Sequence, residues 1–535
     1  MREKFKNERI EYKILTLAII FVTVWFVYRI IHNVLVGYGY PRELLEPANV
    51  YLTNLFVQGK SPYSLSALDW KVPGINYDYP FLTSLVVAAI VKITGCSVLV
   101  GHYALSLFSI LATAFVGFRM INQYSRTTVA PFLGALLFVF CHWRFGYVSA
   151  APDDFGLLMF LLTLDLSVNP KVKCKPLICA IGVTISFYIK QYFVFSALGI
   201  FVYFFLYSKK EAIKFLIYTL VLNIVAGVVI TVFWPLYWTY SILFLYAGCF
   251  SGVSFGFSYL LNQIKYLLAI FLALFVVLVV GLVMGIRKLR ATNTKIRNIQ
   301  IKENDALTLC IAMIPVMLVP LVFFGRNDGA FVSYFLQLWM PEIVVVTLVL
   351  FERIIPEKSE NVRIKAFAWL GAYLVIALST IYFGIGKLPM HEMTTEEKAD
   401  WDKVYSIVDS AKNKGDVLYS RALAYKALED GSTDCVCGHD GEVSDDTLQI
   451  LESSDFVSSI FPYARRIIEN SKNYYLSLQM KGVDKKYSLI TYETEGYNMV
   501  FSEDYVLYFG YKPIEKVQMS VGNMMYEIAL YDIEL

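Results

Sequence analysis

The chain is short of charge. Lysine, arginine, aspartate and glutamate make up 17% of its 535 residues, against about a quarter in soluble domains, which excludes an ordinary water-soluble globular surface. Cysteine offers no metal centre or disulfide framework. Cys96, Cys141, Cys174, Cys179, Cys249 and Cys310 scatter in or beside apolar runs without ligand spacing. The polar stretch DCVCGHDG places Cys435, Cys437 and His439 together, but a single C-x-C-x-H without a partner cluster is weak metal spacing, and C-x-C closes only a tight disulfide loop. No N-x-S/T sequon occurs, which favours a prokaryotic surface over a secretory lumen. No small-residue cleavage site follows the first apolar run, which is too long for a signal peptide and is expected to stay in the chain as a span. Internal repeats and low-complexity tracts are lacking as well.

What is present is apolar surface. Hydrophobic residues reach 57% and aromatic ones 16%, with a mean hydropathy of +0.55, so the fold class expected is a polytopic α-helical membrane protein. Basic residues concentrate in alternate connections, among them MREKFKNER, NPKVKCK, YSKKEAIK and GIRKLRATNTKIRNIQIK, and the positive-inside rule makes these cytoplasmic. Spans near 14–34, 98–121, 128–143, 154–168, 176–189, 192–208, 213–234, 264–287, 306–324, 331–351 and 366–384 satisfy the alternation, giving about eleven crossings. Phe81 to Ile93 is short for a span, and counting it as one would invert every later loop, so it reads as a re-entrant or interfacial helix. The N-terminus is then cytoplasmic and the C-terminus extracytoplasmic, in a multi-pass plasma-membrane protein.

The chain divides at about residue 387. Residues 1–386 form the membrane domain, with a long first extracytoplasmic loop at 36–80, and residues 387–535 form an extracytoplasmic domain. Residues 391–535 hold 26 acidic and 14 basic side chains, and the patterning predicts helices near Glu396–Lys412 and Asp446–Lys481 followed by strands in KYSLITYE, DYVLYFGY and YEIALYDIEL. A small α/β cap follows. The excess of basic charge in the remainder is explained by the cytoplasmic loops, without nucleic acid as a partner.

A carboxylate at membrane depth is costly unless it faces water, a partner or a substrate. The topology gathers Glu43, Glu46, Asp69, Asp78, Asp153, Asp154 and Asp328 at the extracytoplasmic face, with Arg42, Arg144, Lys190 and Arg326. Such a polar cavity suits group transfer from a phosphorylated donor, cations holding the phosphate while a carboxylate acts on a hydroxyl. Asp153 and Asp154 also fit a helix start, since PDD supplies N-terminal carboxylates. Lys190 lies between two apolar runs, where it must either snorkel or bind an anion. Arg144 and Arg326 are second candidates for the anion, or partners for Asp153 and Asp328. Trp234, Tyr237, Trp238 and Tyr240 read as an interfacial aromatic belt, and AGCFSGVSFGFSYL as a loop that could close over substrate.

Four motifs, in order, carry a resemblance. LEPANVYLTNLFVQGKSPYS followed by NYDYPFLTSLVVAAIVKITG, with Glu46, Tyr51, Gly59, Tyr63, Tyr79 and Pro80 at the matching places, resembles the first extracytoplasmic loop of GT-C glycosyltransferases. These are the polyprenyl-phosphate-sugar-dependent enzymes that include the aminoarabinose transferases and protein O-mannosyltransferases. APDDFGLLMFLLTLDL resembles their second-loop P-D element, FYIKQYFVFSALGIFVYFF their KQ span, and GRNDGAFVSYFLQLWMPEIV, with Tyr334, their late span. His102 stands where many members carry an arginine, and Glu46, with Glu43 nearby, where the acid is often aspartate.

The resemblance implies inverting transfer of a sugar from a polyprenyl-phosphate donor to an acceptor hydroxyl. It implies Glu46 as base or as the acid that orients the acceptor, Asp153 and Asp154 in the catalytic site as positioners of donor hydroxyls or of the base's partner, and Lys190 on the lipid phosphate. Arg144, Arg326, Tyr63, Tyr79, Tyr334, Glu43 and His102 would line the substrate site. No cofactor is required, a divalent cation at Asp153 and Asp154 being the lesser option. The partners implied are the lipid-linked donor, membrane lipid and a glycan, lipid or protein acceptor. A secondary transporter or flippase would instead spread charges through the spans and break helices in paired halves, and a noncatalytic scaffold would leave Glu46, Asp153, Asp154 and Lys190 replaceable.

Overall fold

The computed structural model describes residues 5–6, 8–40, 46–69, 79–145, 148–244, 246–247, 256–291, 306–326, 393–435, 440–493, 502–521 and 524–533, with parts of 338–349 and 371–382. The membrane part is helical. Helix α1 (Ile10–Val36) runs 27 residues, about 40 Å at 1.5 Å per residue. Tyr12, Leu15, Thr16, Ile19, Phe26 and Ile30 are its buried stripe, and Thr16 reaches Thr128 at 2.9 Å. Its other face exposes Leu17, Phe21, Val24 and Leu35, as a helix against hydrocarbon should. After it come α2 (Glu46–Val57), α3 (Leu82–Thr94), α4 (Val98–Tyr124), α5 (Val129–Phe145), α6 (Asp153–Val168), α7 (Lys175–Ile189), α8 (Ser196–Tyr207), α9 (Lys209–Phe233), α10 (Phe257–Ala291) and α11 (Ala306–Phe324). One apolar core joins α1 and α4–α8 to α10, α11 and residues 338–349.

Of the eleven crossings expected, those near 331–351 and 366–384 fall largely outside the described residues. Among the described residues three helices, α1, α4 and α9, are long and apolar enough to cross a membrane, while α10 and α11 run 35 and 19 residues with part of their side chains outside the description. The sequence itself divides one apolar stretch: Lys190 ends α7, and a 3-10 turn at Gln191–Phe195 separates it from α8, whereas α11 runs on through Pro315 and Pro320. The segment expected to be re-entrant is the 13-residue α3, closed by Gly95 in the left-handed region, φ 72°, where a side chain is disfavoured.

Small residues set the helix spacing beside that turn. Gly156 on α6 faces the Phe193 ring so closely that a Cβ would land on it, and Gly182 on α7 stands likewise against Thr163.

The C-terminal segment combines helices with a four-stranded sheet and departs from the expected pattern in several elements. Helix α12 (Thr395–Lys412) opens on a capping box of Thr394 and Glu397. Its Trp401, Val404, Val408 and Ala411, at helical spacing, pack on the sheet through Leu489, Val517, Ile528 and Leu530. Strands β1 (Asp416–Leu418), β2 (Tyr487–Glu493), β3 (Lys512–Val521) and β4 (Met524–Asp532) form one sheet in the order β1-β2-β4-β3, with β1 and β2 parallel and the rest antiparallel. Four further helices lie between: α13 (Ala424–Glu429), α14 (Asp440–Ser453), α15 (Asp455–Ile460) and α16 (Ala464–Val483). DYVLYFGY was expected to be a strand but supplies helix α17 (Glu503–Tyr508): the Ser502 side chain accepts from Tyr505 N, and Glu503 and Asp504 favour the N-terminal dipole. Cys435 is buried, while Cys437 and His439 fall outside the described residues.

Three seams fix this domain to the membrane part. Tyr40 packs on Trp401 with ring centroids 5.6 Å apart, and the Tyr405 hydroxyl donates to the Gly39 carbonyl at 3.1 Å. Arg466 pairs with Asp69 at 2.8 Å and Asn470 donates to the Leu68 carbonyl at 2.6 Å. Tyr425 packs with Val50 and Ala150. We predict that Gly156→Ala, which drives a methyl into the Phe193 ring, lowers stability by about 1–3 kcal/mol, read as a lower Tm in detergent; an unchanged Tm would contradict the tight seating of α6 on the Gln191–Phe195 turn.

Candidate active site

Each acidic residue singled out in the first and second loops and described here has a definite partner. Glu46 opens α2 and is fully buried, and its Oε1 accepts from Ala150 N–H at 2.8 Å. That bond ties the first loop to the segment before α6, because a buried carboxylate requires donors.

Asp153 and Asp154 occupy the first turn of α6, where the helix dipole favours carboxylates, yet neither caps it: the N-cap is Pro152, without a side-chain bond. Being adjacent, they point to different partners. Asp153 Oδ1 takes the Lys190 ammonium at 2.6 Å and the Tyr192 hydroxyl at 3.2 Å. Asp154 turns inward, 4% exposed, where its Oδ1 lies 2.8 Å from His142 Nδ1 and its other oxygen accepts from Ser106 on α4. His142 Nε2 is buried without a partner among the described residues.

Lys190 is 2% exposed, whereas its partner Asp153 keeps 19% of its side chain accessible. Its ammonium also lies 4.5 Å from the centre of the Tyr79 ring and 5.0 Å from that of Tyr192, a cation–π cradle that softens the cost of desolvation. The sequence analysis singled out Asp153, Lys190 and Tyr79 separately; in the structure the Lys190 ammonium touches both of the others. His102 is buried 2.7 Å from the Thr53 hydroxyl, not at a carboxylate. Tyr63 lies at the centre of an aromatic cluster with Phe56, Trp234, Tyr237 and Tyr240. Trp234, Trp238 and Tyr240 pack on the same cluster, where Tyr237 is fully buried, so these residues form packing around the first loop more than an exposed belt.

Arg326 is exposed just beyond α11, its carbonyl accepting from Gly256 N–H at 2.9 Å, and among the described contacts none joins it to Glu46 or Lys190. Arg144 lies on α5, its side chain outside the description, and Glu43, Arg42, Asp78, Asp328 and Tyr334 are outside the described residues. Three participants escaped sequence reasoning: Ser106, His142 and Tyr192. His142, a lone imidazole in the apolar FCHWRF, carried the one signal that could have been read. Among the described residues no three His, Cys, Asp or Glu side chains gather to hold a metal ion. The arrangement offers a buried carboxylate and a shielded ammonium at the same end of the helices, suited to accepting a proton and to holding an anion.

No family model and no curated protein matches the chain. Its fold matches the crystal structure of ArnT from Cupriavidus metallidurans in the apo state, covering 95% of this chain and 97% of that one with a TM-score of 0.53 and 13% identity. ArnT from the same organism, bound to undecaprenyl phosphate, aligns with the same coverage at a TM-score of 0.47 and 10% identity. At these identities the likeness is one of fold. The class defined is a multi-pass helical membrane protein that shares the fold of the apo structure.

The two aspartates should respond differently. Asp154→Ala strands the buried His142 and Ser106 and is expected to cost about 1–3 kcal/mol for each group left unpaired. Asp153→Asn, at a partly open position, should leave the Tm closer to wild type. Equal losses in thermal unfolding would contradict this division between an inward and a cavity-facing carboxylate.

Proposed function

We propose that the chain is an integral membrane glycosyltransferase that moves a sugar from a polyprenyl-phosphate donor to an acceptor hydroxyl, with inversion, at the extracytoplasmic face of a prokaryotic plasma membrane. The observation that carries the reading is the pairing of motif and geometry at Lys190: the KQ lysine is buried, paired to the aspartate of the P-D element and roofed by the tyrosine of the Y-x-Pro element's place in the first loop. Three segments distant in sequence, each resembling a GT-C motif, meet in one contact set.

In this reading Glu46 takes the proton of the acceptor hydroxyl as its oxygen attacks the anomeric carbon, and the bond from that carbon to the phosphate oxygen breaks. One displacement inverts the centre. Lys190 meets the charge that develops on the leaving lipid phosphate, exchanging Asp153 for the phosphate oxygens, and Asp153, once released, can orient donor hydroxyls. Asp154, held by His142 and Ser106, keeps the start of α6 in place. Burial of Glu46 and the lid formed by the C-terminal domain exclude water from the glycosyl centre, so that the acceptor competes with little hydrolysis.

Transfer of labelled sugar from a panel of polyprenyl-phosphate sugars by the purified protein in lipid tests this. The expected result is turnover that falls about 10²–10⁴-fold in Glu46→Gln, the usual range for loss of a positioned base. Wild-type turnover in Glu46→Gln would refute the base assignment. No turnover with any donor, accompanied by movement of lipid-linked sugar across the bilayer, would replace the enzyme with a transporter.

A further inference from the structure

A buried polar group without a partner costs free energy, so its retention calls for a cause. Two such groups lie on the helices next to Glu46 and Tyr79. Asn49 stands one turn after Glu46 on α2 and is 7% exposed, and its Nδ2 has no hydrogen-bond partner among the described residues. Thr83, in the first turn of α3, is 4% exposed and its Oγ1 is unpartnered in the same way. The two helices touch at this point, since the Ser84 hydroxyl reaches the Asn49 carbonyl at 3.5 Å. Both residues lie on faces turned to α4. Thr53, one turn beyond Asn49, meets His102 of α4, and Val87, one turn beyond Thr83, packs with Leu105 of α4 and Phe155, the residue after Asp154.

These positions tie the two groups to the proposed chemistry. Thr83 follows by one turn the Tyr79 ring that lies over the Lys190 ammonium, and Asn49 follows Glu46 by one turn. With phosphate on Lys190 and the base at Glu46, the group between them is the sugar. Resting on that reading, we propose that Asn49 and Thr83 form a subsite for hydroxyl groups of the donor sugar. A carboxamide supplies N–H donors and a threonine hydroxyl both donates and accepts, so the complementary ligand is a sugar hydroxyl at each position. The cost of leaving the two groups unpaired in the free protein is recovered when those hydroxyls arrive, and a donor lacking one of them leaves the buried partner stranded. The pair therefore selects among sugars, while Glu46 and Lys190 serve any of them.

Thermal unfolding and transfer kinetics of the purified full-length protein in lipid decide the point, with Asn49→Leu and Thr83→Val as near-isosteric apolar replacements. The donors are a polyprenyl-phosphate sugar that the wild type uses and its monodeoxy analogues. Removing an unpaired buried polar group should leave the Tm of the free protein equal to or above wild type. For the parent donor kcat/KM should fall about tenfold to a hundredfold in each variant. For one monodeoxy donor the same variant should match wild type, because the partner hydroxyl is already absent. A Tm lowered by several degrees with transfer at the wild-type level would overturn the subsite and make both groups paired parts of the fold. An equal loss with every donor, deoxy analogues included, would overturn it as well. The underlying reading fails separately: if wild type transfers no sugar from any donor, the glycosyltransferase and the subsite fall together, whereas turnover that is lost in Glu46→Gln and unchanged in both variants removes the subsite alone.

Discussion

An ammonium group withdrawn from water costs several kcal/mol unless charge and dipoles replace its hydration. Lys190 meets that constraint with one carboxylate and two aromatic rings, and much of the local architecture serves the arrangement. Asp153 must begin α6, the 3-10 turn after Lys190 must fold back so that Phe193 reaches Gly156, and the chain at Tyr79 must lie over the ammonium. A pair of this kind is weak as a source of stability, because replacing both partners with apolar groups is often neutral or better. Under the proposed function the pair has a use in exchange: a cation that trades its carboxylate for a phosphate needs a partner it can release.

The neighbouring carboxylates divide the work by burial. Asp154 is satisfied internally by His142 and Ser106, drawing α4, α5 and α6 together at their common end. Glu46 is satisfied by a backbone donor, Ala150 N–H, and Tyr425 of the other domain packs beside that residue. The segment that holds Glu46 is thus covered from two sides, the membrane part supplying the amide and the C-terminal domain the packing of Tyr425 on Val50 and Ala150. The seams at Tyr40 and Asp69 hold that domain at the rim and leave α13 as the short element between it and the site.

Much of this was legible because charges in an apolar chain have few places to go. Glu46, Asp153, Asp154 and Lys190 stood out by their expense, and the structure engages each of them. Ser106 and His142 did not stand out, since a serine or histidine inside a span usually satisfies a local carbonyl or packs, and their meeting at Asp154 depends on the lateral order of three helices, which no periodicity encodes. Tyr425 lay hundreds of residues from Glu46 in a domain whose docking the sequence leaves open. The helix break at Lys190 was less legible, because hydropathy windows average over a single polar residue between two apolar runs. The strand expected in DYVLYFGY erred because aromatic and branched residues suit a strand, whereas the capping serine and two acids before it decide for a helix. β3 was passed over because KPIEKVQMSV alternates weakly and is paired only along β4.

The most direct test of the account is an experimental structure of the full chain in lipid with a non-hydrolysable polyprenyl-phosphate sugar. The account predicts the phosphate on Lys190, with an oxygen about 2.7–2.9 Å from Nζ, Asp153 released from the ammonium, and the anomeric carbon on the Glu46 side. A donor phosphate bound elsewhere, with the Lys190–Asp153 pair intact, would contradict it.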